Sequence, residues 1–251
     1  MDRIGSCRSA AAWIAAVSAF VAGSARAAVV VPVPAQLDMK AVADRVHSLA
    51  VAVRARAFVS DGEPGGRMHL TEAVTSASGV LIGDGLVLTT LSSVALRRGD
   101  GRFEPAESIG VVADEVGLVP ARLVMGDAAL DLAVLELPEE LRGLDGARFA
   151  PTDPVIGDGM LAIGAEGNSL YVVGVNLEQV EFATGGAARL YVDRAVPPSF
   201  SGGPLFDGEG RLAGLTTPGA TTPGASDSGF AVPASVLRAM IDSAGRNANL
   251  R

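Results

Sequence analysis

Short apolar segments separated by glycine-containing turns recur along most of this chain, and they constrain its fold more than any other feature. Residues 76–95, SASGVLIGDGLVLTTLSSVA, contain two apolar runs joined by Gly-Asp-Gly, which predicts a β-hairpin. Residues 204–217, PLFDGEGRLAGLTT, predict a second hairpin. With 31 glycines, 14 prolines and 4% aromatic residues, the composition also favours short strands over long helices. Further strands are predicted in 48–59, 108–127, 130–138, 160–167, 169–183 and 188–196.

Two amphipathic helices are predicted at the ends of the folded region. In residues 37–46, LDMKAVADRV, a helical face joins Leu37, Val42 and Val46, and Asp38 is a candidate N-cap. Residues 234–245, ASVLRAMIDSAG, predict a closing helix. Its inward positions are Val236, Leu237, Met240 and Ile241.

A polar segment with three prolines, residues 138–154, is the best candidate for a linker. It separates two groups of about six predicted strands, which fits two small barrels packed together. We therefore predict an all-β fold of two six-stranded antiparallel β-barrels, with a short N-terminal helix and a C-terminal helix. The N-terminal barrel covers about 41–137, and the C-terminal barrel with its helix covers about 155–245.

The first 27 residues have the order of a secretory signal peptide. Arg3 and Arg8 precede an apolar run at 10–23, and Ala25-Arg26-Ala27 has the small-residue pattern of a cleavage site. The run is short for a helix that spans a bilayer, although an uncleaved membrane anchor is the alternative. We predict cleavage after residue 27, so that residues 28–251 act in the periplasm or outside the cell.

Composition limits the partners of the mature protein. Cleavage changes the formal net charge from −8 to −10, because it removes three arginines and one aspartate. An acidic protein with one lysine is a poor match for nucleic acid, so no nucleic-acid partner is predicted. Residues 28–251 contain no cysteine, and the two histidines, His47 and His69, are well separated; no metal and no other cofactor is predicted.

Four motifs occur in the order found in trypsin-like serine proteases: ASGVLIGDGLVLTT, LDLAVLELP, SGGPLFDGEGRLAGLTT and SGFAVP. The chain resembles this family, in particular its HtrA-type branch from bacterial envelopes, over about 41–245. The resemblance implies the trypsin-like double barrel. HtrA-type proteins usually carry PDZ domains after the protease unit, but no PDZ domain is expected here. Since such relatives often trimerise, a homo-oligomer is included among the expected partners.

The resemblance also assigns the catalytic positions. The nucleophile is the serine of the Ser-Gly-Gly-Pro turn, which is Ser201, and the orienting carboxylate is Asp131 at the start of DLAVL. The general base is the histidine of a Thr-x-x-His pattern after the first hairpin, and Ser92 stands at that place in this chain. A shift of one residue gives Leu91 or Ser93, so no neighbouring register restores the histidine. The resemblance therefore implies a degenerate triad.

Ser92 cannot replace imidazole as a base. Imidazole accepts the proton of an attacking serine because its pKa lies near neutrality, whereas a hydroxyl has no basic form at physiological pH. His47 lies between the first helix and the first strand, and we interpret it as a packed or partly exposed residue. His69 lies in the loop or strand start ahead of the first hairpin. It is the alternative base, although the hairpin hydrogen bonds oppose its approach to Asp131.

The oxyanion loop and the specificity pocket depart from the family as well. The oxyanion hole uses the backbone N–H groups of Ser199 and Ser201, but the family has glycine at the first position and a small polar residue in place of Phe200. Members of the family that cut after Arg or Lys have an acidic residue six positions before the nucleophile. At that position this chain has Ala195. The resemblance implies a small apolar pocket beside loop 216–226, although that loop is equally interpreted as a flexible connector. The pocket residues are Ala195, Leu215, Thr216 and Thr217.

These observations favour an exported pseudoprotease, an HtrA-like double barrel that binds a peptide or protein partner in the periplasm without cutting it. One alternative is an active endopeptidase that uses Ser201 with a non-standard base, such as His69 or a group from a partner chain. The other alternative is a structural subunit whose cleft has no role. In that case Ser201 persists because Ser-Gly-Gly makes a good tight turn.

Overall fold

The computed structural model describes residues 38–61, 69–113, 116–166, 169–182, 188–217 and 229–248. Residues 1–27, which carry the predicted signal peptide, lie outside these ranges. Within the described part, twelve strands close into two six-stranded barrels in which every neighbouring pair is antiparallel. The predicted fold class is confirmed.

The first barrel has the strand order β1-β2-β3-β8-β7-β6. The Gly-Asp-Gly turn at residues 83–85 joins β2 to β3 as predicted, and all three residues have positive φ angles. A two-stranded hairpin, β4–β5, lies outside the barrel. The strands are β1 (Ala50–Asp61), β2 (His69–Gly83), β3 (Leu86–Thr89), β4 (Ala95–Arg97), β5 (Phe103–Pro105), β6 (Ser108–Ala113), β7 (Gly117–Asp127) and β8 (Leu132–Glu136).

The second barrel has the strand order β10-β11-β14-β13-β12-β9. The predicted hairpin at residues 204–217 forms β12 and β13, and the Ser-Gly-Gly turn precedes β12. The strands are β9 (Gly159–Glu166), β10 (Ser169–Phe182), β11 (Ala188–Val192), β12 (Pro204–Phe206), β13 (Leu212–Thr217) and β14 (Gly229–Pro233).

Three α-helices are described: α1 (Met39–Val46), α2 (Leu91–Val94) and α3 (Ala234–Ala248). Asp38 caps α1 as predicted, because its carboxylate accepts a hydrogen bond of 3.0 Å from the N–H of Ala41. No helix in the described ranges is long and apolar enough to cross a membrane.

The two barrels share an apolar core, which fixes how they face each other. The segment between them also bonds to both: the N–H of Ala147 donates to Leu81 O at 2.8 Å, and the N–H of Ala150 donates to Leu212 O at 2.9 Å. The end of β3 lies close to the turn before β12, since a Cβ at Gly202 would lie 2.4 Å from Thr89 Oγ1. The shared core joins Val80, Leu88, Leu132 and Val134 to Leu161, Ile163, Phe206 and Leu212, with Val42, Val46 and Leu237 from the helices.

Candidate functional site

Ser201 lies where the two barrels meet, immediately after a short 3₁₀ helix at Pro198–Phe200. Its carbonyl oxygen accepts a hydrogen bond of 2.8 Å from the N–H of Ser78 in β2, across the barrel interface. The next residue, Gly202, has a φ of +79°, and a Cβ there would lie 2.4 Å from both Ser78 O and Thr89 Oγ1. The turn therefore requires glycine at 202 because of both its backbone conformation and its tight packing.

The hydroxyl of Ser201 has another hydroxyl as its partner. Ser201 Oγ lies 2.9 Å from Oγ1 of Thr90, which is fully buried, and Thr90 Oγ1 lies 2.5 Å from Ser93 Oγ. These three groups form a chain of neutral hydroxyls. None of these three hydroxyls can take and hold a proton near neutral pH, so none of them is a general base for Ser201.

Asp131 and Ser92 lie next to each other, as the family resemblance implies. Asp131 Oδ2 accepts a hydrogen bond of 2.7 Å from Ser92 Oγ, and Oδ1 accepts one of 2.7 Å from the N–H of Ser92. The carbonyl of Asp131 also accepts from the N–H of Leu91 at 3.2 Å. The N-cap residue Thr90 makes no side-chain capping bond, so Asp131 satisfies the first N–H groups of α2 from a distant part of the chain.

The predicted oxyanion donors are not directed into the cleft. The N–H of Ser201 donates to the carbonyl oxygen of Pro198 at 3.0 Å, which closes one turn of the 3₁₀ helix. The peptide between Pro198 and Ser199 is trans, since the described chain has no cis peptide bonds. In a trans peptide the N–H points opposite to the C=O. The N–H of Ser199 therefore points away from the N–H of Ser201, and the two donors do not converge on one oxygen.

The predicted pocket residues have different environments. Ala195 is exposed, and Thr217 is half-buried at the end of β13. Leu215 is fully buried in the shared core of the barrels. Thr216 is also buried, and its hydroxyl donates to the carbonyl oxygens of Phe200 and Gly203 beneath the turn. Most of the predicted loop 216–226 lies outside the described residues.

The structure describes the backbone at both histidines. His47 is exposed at the start of a 3₁₀ helix, and its ring Nδ1 lies 3.2 Å from Asp44 O. The backbone of His69 begins β2 and pairs with Asp61. Ser78 lies nine positions further along the strand, a path of about 30 Å at the rise of a β-strand. The side-chain bonds described for Ser201 and Asp131 are those to Thr90 and Ser92.

Sequence reasoning did not identify two residues that shape this site, Thr90 and Ser78. Ser78 is buried; its hydroxyl donates to Ser199 O at 2.6 Å and accepts from the N–H of Ala165 at 2.7 Å. It thus connects β2, β9 and the turn. The signal that could have found Thr90 is the hydroxyl-rich run TTLSS at residues 89–93.

The family described as trypsin-like peptidase domain matches residues 77–215, more than half of the chain. A protein of Ectopseudomonas mendocina (strain ymp), named "Probable periplasmic serine endoprotease DegP-like", is 30% identical over 164 residues. The match covers 61% of this chain and 31% of the relative, so the chain spans about a third of that protein's length.

Solved structures show the same fold. The Rv3671c protease from M. tuberculosis, in its active form, has a TM-score of 0.65 and 18% identity, covering 83% of this chain and 86% of the protease. An HtrA-type protease, AlgW, solved with a decapeptide, has a TM-score of 0.65 and 21% identity, covering 81% and 67%. A serine endoprotease from Yersinia pestis has a TM-score of 0.61 and 25% identity, covering 82% and 65%.

Proposed function

Because this chain belongs to the trypsin-like peptidase domain family, we propose that it is an exported HtrA-like member that binds a peptide or protein segment without cutting it. The observation that carries the proposal is the partner of the Ser201 hydroxyl. That partner is the hydroxyl of Thr90, while the Asp131 carboxylate bonds to Ser92. Serine attack on a peptide needs a group that accepts the serine proton, and this arrangement supplies none.

The closed turn at Ser201 supports the same conclusion independently. The tetrahedral intermediate of peptide hydrolysis carries a negative oxygen that needs converging N–H donors. The N–H of Ser201 is already bonded to Pro198 O, and the N–H of Ser199 points away from it. The base and the donors serve different needs of the same attack step, removal of the serine proton and stabilisation of the negative oxygen, so repair of one would leave the other.

Export is part of the proposal and rests on two observations. The first 27 residues have the charged, apolar and small-residue regions of a signal peptide. The curated relative carries the word periplasmic in its name. Analysis of the mature N-terminus in a periplasmic fraction tests this part: a chain that begins at Ala28 supports it, and a chain that retains residues 1–27 contradicts it.

Inactivity is tested with a fluorophosphonate probe, which reacts with activated serine hydroxyls. We expect the same background labelling for the wild type and for Ser201→Ala, together with no cleavage of casein. Labelling that is present in the wild type and absent in Ser201→Ala would show an activated hydroxyl. That result would refute the proposal in favour of an active endopeptidase.

Binding is tested with a fluorescent pool of extended peptides, measured by polarisation. The variant Ala195→Trp places an indole at an exposed position that the family resemblance assigns to the pocket, and we expect it to weaken binding at least about tenfold, since a blocked site loses its contacts. The matched control is Ala41→Trp, at an exposed position of α1, which should bind as the wild type does. Equal binding by all three proteins would remove the cleft from the proposal.

A further inference from the structure

The ring of Phe200 lies in the core of the second barrel directly under the Ser201 turn. Only 2% of this residue is exposed, and it packs with the apolar side chains of β9, β10 and β11. The ring occupies the space above Gly164 of β9: a Cβ at residue 164 would lie 2.2 Å from two of its carbons. A glycine at 164 is therefore a condition for the burial of Phe200, since any other side chain would overlap the ring.

The backbone of Phe200 is held as firmly as its ring. Its N–H donates to Pro197 O at 2.9 Å, and its carbonyl oxygen accepts from the N–H of Gly203 at 2.7 Å and from the hydroxyl of Thr216. Phe200 comes directly before Ser201 in the chain. Once the ring is inserted and these bonds are made, the 3₁₀ turn is fixed, and with it the bond from the N–H of Ser201 to Pro198 O.

We propose that Phe200 and Gly164 act together as a lock that keeps the N–H groups at the Ser201 turn out of the cleft. Both are positioning residues, since they act through the backbone of the turn. The inference deepens the proposed binding function and rests on it: a ligand in this cleft is held without a hydrogen bond from Ser201 N–H to its carbonyl oxygen. Opening of the turn would require the Phe200 ring to leave the core. The lock therefore implies that the turn stays closed when a ligand binds.

Two single substitutions test the lock, one at each of its two residues. Phe200→Ser removes the ring, and Gly164→Ala keeps the ring but adds a methyl group where the ring lies. Phe200→Leu is the conservative control, because an apolar side chain still enters the core. If Phe200→Ser does not fold, Gly164→Ala carries the test, since it removes no buried group.

The readout is hydrogen exchange of the Ser201 amide, measured by NMR on labelled protein. We expect protection in the wild type and in Phe200→Leu, and exchange at least about 100-fold faster in Phe200→Ser and Gly164→Ala. The reference is the amide of Leu212 in the same barrel, which donates to Arg148 O at 2.7 Å and should change by less than about threefold. A purely structural weakening of the barrel would accelerate both amides together.

Two results overturn the lock. One is unchanged protection of the Ser201 amide in folded Gly164→Ala or Phe200→Ser. The other is an equal acceleration of the Ser201 and Leu212 amides, which would mean that the variants loosen the whole barrel. Failure of the binding function is seen separately: the peptide pool would then not bind the wild type, whatever the exchange rate at Ser201.

Discussion

Replacing Ser92 by histidine returns an imidazole to the cleft, and we expect this change alone not to restore proteolysis. Ser92 is exposed, and its hydroxyl already donates to Asp131 Oδ2 at 2.7 Å, so an imidazole there has both room and an orienting carboxylate. In subtilisin, loss of the base costs about 10⁶-fold in turnover, and this is the deficit that Ser92→His addresses.

The second deficit remains in that variant. Each missing oxyanion donor costs about 10²–10³-fold, or about 3–4 kcal/mol. The closed turn withholds the N–H groups of both Ser201 and Ser199, so the two losses together amount to about 10⁴–10⁶-fold, or about 5–8 kcal/mol. Ser92→His should therefore cleave at no more than about 10⁻⁴ of the rate of a variant in which the turn is also rebuilt.

That reference variant is Ser92→His/Ser199→Gly/Phe200→Asn, which has both the base and the Gly-Asn-Ser turn typical of the family. The assay is kcat/KM for a fluorogenic casein, with Ser201→Ala added to each background as the blank. A single Ser92→His variant within about tenfold of the triple variant would show that the turn is not a second defect. A triple variant with no activity, although its imidazole contacts Asp131, would show that these two features do not account for the proposed lack of proteolysis.

Three other measurements test the structure around the site. Gly202→Ala places a methyl group 2.4 Å from two oxygen atoms at a φ of +79°, and it should lower the free energy of unfolding in urea by at least about 3 kcal/mol. The control is Gly143→Ala, where a methyl group meets nothing within 4 Å and the free energy of unfolding should change little. Asp131→Ala removes the capping bond from the N–H of Ser92 and the bond from the Ser92 hydroxyl, at a residue with a φ of +54°. It should cost about 2 kcal/mol, whereas a loss below about 0.5 kcal/mol would contradict the capping role. The hydrogen bond to Glu181 raises the pKa of the Tyr191 phenol above its ordinary value of 10.0. The stability from this bond is therefore present below about pH 10 and is lost as the pH rises through the higher pKa of the folded state. In Glu181→Gln the absorbance change of the phenolate should occur at a lower pH than in the wild type.

Much of the fold was predictable because its turns depend on local chemistry. Gly83, Asp84 and Gly85 adopt positive φ angles, which glycine and aspartate tolerate, so the first hairpin is visible in the sequence. The hairpin of β4 and β5 was not predicted, because its strands have three residues each and show no period. The motifs located Ser201 and Asp131 because both occur in recognisable local contexts.

The partners of these two residues were not predictable in the same way. Thr90 and Ser201 are separated by 111 residues, and a contact over that separation depends on how two barrels pack. The direction of the peptide between Pro198 and Ser199 depends on the burial of the Phe200 ring against Gly164. Neither the spacing of residues in the sequence nor the residue types at the turn indicate that the Phe200 ring is buried. The serine at position 92 is visible in the sequence, whereas the bond from the Ser201 N–H to Pro198 O depends on tertiary packing.

The polar groups of this site are satisfied by the protein itself, and this has a consequence for stability. In the described residues, no buried side-chain oxygen or nitrogen lacks a hydrogen-bond partner. Catalytic groups must instead remain available to the substrate, which costs stability. The triple variant also removes the buried ring of Phe200, so it should lose about 3–5 kcal/mol in urea unfolding, while Ser92→His at its exposed position should lose less than about 0.5 kcal/mol. A triple variant as stable as the wild type would mean that the closed turn contributes no stability, and that its burial of Phe200 is not the reason for its conformation.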